Sequence, residues 1–242
     1  MFYFENFYGK KILKSSLLQD KDCFFTTREF VLTPSNRTDL ADECEKNRSF
    51  LKEKLHSNYI TTAKQVHGDN IEIIESNKTF YDNTDAMISN IPNTLLLMNF
   101  ADCVPIILYD KESKSGAIAH AGWRGTAAKI AYKTVQKMQK ELNIKPDSII
   151  ALIGPSIGKC CFETGEEVFE QLIEDKQNKE LYEEKNEKYF IDLKKINYNQ
   201  LKEAGVEKID TCTYCTCCMS DIFFSYRKEK GITARHSAVI KI

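Results

Sequence analysis

The chain has 242 residues, of which 42% are apolar and 29% charged, with 34 basic residues against 35 acidic ones. That balance excludes a protein that grips nucleic acid through bulk charge, and leaves room for a local basic pocket for a small anion. The length suits one large domain or two small ones and allows a core that needs no disulfide framework. In chain order, Phe24–Thr27 and Glu29–Leu32 read as short strand pieces. Asp39–Leu55 reads as a helix with Leu40, Cys44, Phe50 and Leu51 on its buried side, and Ile71–Glu75 as a strand. Thr94–Phe100 is a nearly continuous apolar run and predicts a buried strand. Val104–Tyr109 predicts another, with Pro105 near its start, where a missing N–H is tolerated. Lys111–Gly116 is a turn, and a third strand begins at Ala117–His120 and stops at Gly122.

From Thr126 to Leu142 the apolar spacing becomes helical, through Ile130, Val135, Met138 and Leu142, with Thr126 as the N-cap. Ser148–Ile153 predicts a strand ended by Gly154-Pro155. Thr164-Gly-Glu-Glu167 has the capping-box pattern and predicts a helix through Val168, Phe169, Leu172 and Ile173. The polar stretch from Glu174 to Lys188 reads as a helix end and a surface loop. Phe190–Leu193 is a short strand, Leu193–Ala204 a helix stopped by Gly205, and Thr233–Ile242 a last strand. Strand pairs beside single helices favour a mixed-sheet α+β architecture over a regular βαβ winding, in one domain spanning 1–242.

No apolar run approaches the roughly 18 residues of a membrane span. The first residues lack the basic-then-apolar pattern of a secretory leader. The expectation is a cytoplasmic protein, with no membrane and no nucleic-acid partner, whose nine cysteines are thiols or metal ligands.

Three residues stand at the ends of elements beside small neighbours: His67 in Lys64-Gln-Val-His-Gly-Asp69, Cys103 in Ala101-Asp-Cys-Val-Pro105, and His120 before Ala121-Gly-Trp-Arg-Gly125. Two imidazoles and a thiol suit zinc, and three protein ligands with one open position is the catalytic arrangement. Zinc held that way lowers the pKa of a coordinated water to about 7. The spacing matches no local zinc motif, so a buried structural thiol and satisfied histidines stay open as the alternative.

Cys212-Thr-Tyr-Cys-Thr-Cys-Cys218 is the second cysteine feature. It reads as free or buried thiols, or as a structural metal site if the fold brings Cys160 and Cys161 near it. Gly122-Trp-Arg-Gly-Thr126 joins a strand to a helix start, where backbone amides at Gly125 and Thr126 attract anions and Arg124 adds a bidentate donor. Arg227 follows the aromatic run Phe223-Phe-Ser-Tyr, on which a nucleobase could stack, although core packing is the default explanation for such rings.

Together these segments resemble the YfiH family, also called the laccase-domain or multicopper polyphenol oxidoreductase family. The resemblance is carried by Gln65-Val-His-Gly-Asp69, Thr84-Asp-Ala86, Ala101-Asp-Cys-Val-Pro105, Ala119-His-Ala-Gly-Trp-Arg-Gly125, Ile153-Gly-Pro-Ser-Ile-Gly158, Cys212-Thr-Tyr214 and Phe223-Phe-Ser-Tyr-Arg227, in the family's order. Phe25-Thr-Thr-Arg28 resembles the family's early strand, without the glycine-rich turn that normally follows.

The resemblance implies a four-layer α/β/β/α fold with mixed sheets and one zinc on His67, Cys103 and His120. It implies phosphorolysis of adenosine, inosine and methylthioadenosine, with adenosine deamination alongside. The alternatives are a zinc amidase editing UDP-muramyl cell-wall precursors and a non-catalytic zinc-stabilised interaction module. Asp102 and Asp85 are the candidate proton-transfer residues. Arg124, with Arg227 or Arg28, is the candidate phosphate binder. Four histidines are too few for a multinuclear copper cluster with a separate electron-entry copper, so oxidase chemistry is not expected. A single adventitious copper, with Met98 as an axial ligand, is the most that the name allows.

Overall fold

The computed structural model describes residues 1–242 except Asn58, Asn77 and 174–179. Two short strands, β1 (Phe2–Phe7) and β2 (Lys10–Ser15), lead into β3 (Cys23–Thr26). Helix α1 (Ala41–Lys54) and strands β4 (Ile60–Ala63), β5 (Ile71–Ile73), β6 (Phe80–Tyr81) and β7 (Ala86–Ser89) follow. The central strands are β8 (Leu95–Phe100), β9 (Val104–Asp110) and β10 (Ser115–Ala121). After them come α2 (Trp123–Ala127), α3 (Ile130–Leu142), β11 (Ile149–Ile153), β12 (Glu163–Thr164) and α4 (Glu166–Leu172). The chain closes with β13 (Tyr182–Lys185), β14 (Lys188–Ile191), α5 (Leu193–Glu203), β15 (Lys208–Thr211) and β16 (His236–Lys241).

The strands form two main sheets, ordered β1-β2-β3-β16-β8-β4-β6 and β15-β11-β9-β10-β7-β5, and a small one, β12-β14-β13. Both main sheets are mixed: β4 runs parallel to β8, and β11 parallel to β15. Side-chain alternation builds the layers. In β8, Leu95 and Leu97 join Phe24, Leu51 and Leu55 in a cluster under α1, while Leu96 and Met98 face the other sheet. There they meet Ile107, Ile118 and Leu152. The opposite faces of those strands, with Ile106, Leu108 and Ala119, bury Ile130, Val135 and Met138 of α3 and Leu193, Ile196 and Leu201 of α5. The result is the expected α/β/β/α stack with mixed sheets.

Four local expectations are corrected. Glu29–Leu32 is not a strand: Phe30 N donates to Thr27 O in a turn, and Phe30 and Leu32 reach the α1 cluster from a loop. The helix expected from Thr126 begins earlier, capped at Gly122, and breaks at Lys129, whose φ is +60°. Thr126 is fully buried; its hydroxyl accepts from Asn197 and its carbonyl from Gln200, both on α5. The Thr164 capping box does not form: Gly165 caps α4, and the Thr164 hydroxyl donates to Tyr189 O. Within the expected loop after Ile173, positions 174–179 lie outside the described residues, and Tyr182–Lys185 forms a strand against Lys188–Ile191.

Candidate active site

The two main sheets end together at a cleft of about 790 Å³, within the roughly 300–1,000 Å³ range of small-molecule sites. His67 sits in the loop between β4 and β5, Cys103 in the bend joining β8 to β9, and His120 near the end of β10. The β9–β10 register sets His120 opposite Pro105 and so beside Cys103. One ligand atom from each of the three residues lies within 4.8 Å of the others. All three residues line the cleft.

The chain holds this trio under constraint. His67 has φ +64° and Asp102, next to Cys103, has φ +87°; residues with side chains adopt this region at a cost that surrounding contacts must offset. Gly122 follows β10 because a Cβ there would meet His67 Cδ2 at 3.2 Å and Cys103 Sγ at 3.3 Å. The Asp85 carboxylate is fully buried behind the trio. Its Oδ1 pairs with His120 Nδ1 at 2.8 Å and accepts from His67 N, and its Oδ2 accepts from the amides of Val66 and Gly68. This bond turns the other ring nitrogen of His120 toward Cys103.

Electrostatics follow the geometry. Burial pushes the Cys103 thiol up, but the imidazoles of His120 and His67 outweigh it and hold it at about 6. Burial pushes His120 down, yet Cys103 and Asp85 raise it to about 9. Burial also works against the Asp85 charge, but His120 and the Gly68 and Val66 amides keep its carboxyl below the usual range. A thiolate and two imidazoles converging on a gap that a Cβ would fill form a donor set that fits zinc.

The other expected residues divide. Asp102 reaches the cleft because Ala101–Cys103 is a bend and not a strand, so neighbouring side chains need not face opposite ways. Its Oδ1 accepts from the Thr216 hydroxyl and its Oδ2 from Arg227 N, each at 2.7 Å. Arg124 lines the cleft, stacks on Trp123 with 4.1 Å between guanidinium and ring centroid, and has no carboxylate partner among the described residues. Arg227 also lines it, its guanidinium donating to Cys161 O and Glu163 O.

Arg28, Gly125, Thr126, Asp85 and Met98 do not line the cleft. Arg28 is tied to Ser220 O, Phe223 O and Glu229. Gly125 packs against Gly68 O, where a Cβ would come within 2.9 Å. Met98 lies fully buried between the sheets and outside the cleft lining and the His67–Cys103–His120 group. Of the aromatic run, Phe223 and Phe224 are core, whereas Tyr226 is 56% exposed at the cleft mouth. Arg235, Gln65 and Asn99 also line the cleft and were not singled out from the sequence. Gln65 was readable inside its motif, but nothing in the alternating last segment marks Arg235.

A family model described as multi-copper polyphenol oxidoreductase laccase matches residues 32–242. The chain belongs to this family. It is 34% identical to a purine nucleoside phosphorylase of Clostridium acetobutylicum, over 96% of this chain and 98% of that one. It is 32% identical to the purine nucleoside phosphorylase YfiH of Escherichia coli, over 79% and 78%. Two crystal structures share the fold at 28% identity. The hypothetical protein YfiH of Bacillus licheniformis has a TM-score of 0.88, covering 99% of this chain and 98% of that one. YlmD of Geobacillus stearothermophilus has 0.87, covering 98% of both. Of the four histidines, only His67 and His120 line the cleft and join the potential metal group, whereas a multinuclear copper cluster is held mainly by imidazoles. No helix among the described residues is long and apolar enough to cross a membrane.

Proposed function

We propose that this chain cleaves purine nucleosides by phosphorolysis in the cleft, with a zinc ion held by His67, Cys103 and His120. The observation that carries the reading is a His-Cys-His trio opening onto a cleft that also holds Arg124, with no carboxylate partner among the described residues, and the exposed ring of Tyr226. The names of the relatives point to the same chemistry. When bound, zinc supplies Lewis acidity at neutral pH.

In the reaction a phosphate oxygen forms a bond to C1′ of the ribose. The C1′–N9 bond breaks with its electron pair going to the base, and the base leaves after taking a proton. Arg124 holds the dianion against C1′ with its bidentate donors, helped by the free donors of Arg235, whose Nη1 is held by the Thr233 and Ala234 carbonyls. Arg227 lends its cationic charge while its donors anchor the wall at Cys161 and Glu163. Tyr226 offers an exposed face for the purine, while Trp123 carries the Arg124 guanidinium on its ring. Asp102, fixed by Thr216 and the Arg227 amide, holds a proton or a ribose hydroxyl. Asp85, out of reach of substrate, acts as a positioning residue through His120. Adenosine, inosine and methylthioadenosine are the substrates proposed. Adenosine deamination in the same cleft would use Asp102 as the proton carrier.

Incubation of adenosine with and without phosphate tests the reading. The expected result is adenine release that requires phosphate and is lost with the metal in folded His67→Ala and Cys103→Ala proteins. Full metal retention and full activity in those variants would sink the assignment.

A further inference from the structure

Strands β11 and β15 are parallel neighbours, so the loops that follow them leave the sheet at the same end. Cys212 N donates to Ile153 O, Thr216 N to Ser156 O, and Ser156 bridges Cys215, which zips the two loops together. The first loop turns back on Gly158, whose carbonyl accepts from Cys161 N and Phe162 N. The second turns where Cys215 O accepts from Met219 N. Four sulfurs are thereby collected: Cys160 and Cys161 from one loop, Cys215 and Cys218 from the other.

All four lie within 4.8 Å of one another. Cys218 Sγ is 3.6 Å from Cys160 Sγ and 3.5 Å from Cys161 Sγ. A tetrahedral ion with bonds of about 2.3 Å sets its sulfurs about 3.8 Å apart, so the spacing matches one four-coordinate ion. It is well beyond the roughly 2.05 Å of a disulfide. Gly158 N donates to Cys215 Sγ at 3.1 Å, the kind of amide support that a ligating thiolate receives. Glycine at 158 leaves room for this approach, since a Cβ would stand 3.2 Å from Cys215 Cβ and 3.3 Å from Cys160 Sγ and crowd both. Cys217, between two of the four, is outside the group.

We infer that Cys160, Cys161, Cys215 and Cys218 form a second metal site, a closed tetrathiolate that binds one zinc ion for structure. Four protein ligands leave no open position, which separates this site from the His-Cys-His trio. Its place explains its use. The clamped loops carry Ile157 and Phe162 into the cleft wall, the Cys161 and Glu163 carbonyls that hold Arg227, and the Thr216 hydroxyl that fixes Asp102. The ion therefore fastens the wall of the cleft without touching substrate.

Purified protein saturated with zinc alone and then desalted should hold a second equivalent of zinc per chain. X-ray absorption at the zinc edge should show a sulfur-dominated shell, where the trio alone would give a nitrogen-dominated one. Cys160→Ser/Cys161→Ser should lose one equivalent and the sulfur-rich signal, and Cys217→Ser should lose neither. If the double variant does not fold, the wild-type spectrum and stoichiometry still decide. A single equivalent with a nitrogen-dominated shell, or a Cys160–Cys218 disulfide in protein kept under reducing conditions, would overturn the inference. The nucleoside reading stands apart from it, since that reading is tested by phosphate-dependent base release.

Discussion

Asp85 receives four N–H groups and gives none back, a task that only an ionised carboxylate performs. In Asp85→Asn the amide NH₂ must face either the Val66 and Gly68 amides or the His67 amide and His120, donor against donor. The His67 loop and the His120 ring then lose their fixed orientation. Metal affinity should fall by about 10–100-fold, as for other removed partners of a ligating histidine, in a protein that remains folded; competition with a chelator measures it. Arg124 is the complementary case, a cleft cation with no carboxylate partner among the described residues. Arg124→Ala should lower phosphate-dependent adenine release by about 100-fold, the scale of a lost transition-state donor, and adenosine deamination much less. Equal loss of both, with the metal retained, would reassign Arg124 to substrate positioning.

Helix α5 ties the cysteine-bearing loop to the sheet through Lys194. Its ammonium is buried and donates to Cys212 O and Tyr214 O. Burial pulls its pKa below the usual lysine range. Lys194→Met would leave two carbonyls unpaired and should cost about 1–3 kcal/mol, read as a lower Cm in urea with an unchanged slope. The central strands and α3 and α5 were legible because their apolar periods run unbroken. The short strands β1, β2, β6, β12, β13 and β15 were not, because each owes its state to a neighbour. In β13 only Tyr182 is buried, and Glu183, Glu184 and Lys185 read as loop. The metal trio was readable from its motifs. The cysteine group was readable only as a condition on the fold, because Cys161 and Cys215 are 54 positions apart and only the parallel pairing of β11 with β15 joins them.

Where the two sheets meet, β16 pairs with β8 and places His236 opposite Phe100, with Phe223 on its other side. The ring is fully buried, and both nitrogens lack a hydrogen-bond partner of ordinary geometry among the described residues. Burial drives its pKa down to about 3. The unfolded chain binds a proton at His236 below about 6.5 and the folded chain does not until about pH 3, so stability drains as pH falls through that window. The slope from this one group approaches 1.4 kcal/mol per pH unit. His236→Phe should flatten the acid limb between pH 6 and about 4, as read by denaturant melts at several pH values; an unchanged limb would show that His236 protonates without unfolding.

The account as a whole rests on phosphate, and not water, being the group that takes the sugar. Phosphorus NMR of inosine and inorganic phosphate with the zinc-loaded protein tests this most directly. The account predicts a pentose 1-phosphate resonance that grows in step with free hypoxanthine, and about 100-fold more slowly when Arg124 is replaced by Ala. Hypoxanthine accumulating with no sugar phosphate, or no base released at all by folded and metal-replete protein, would contradict it.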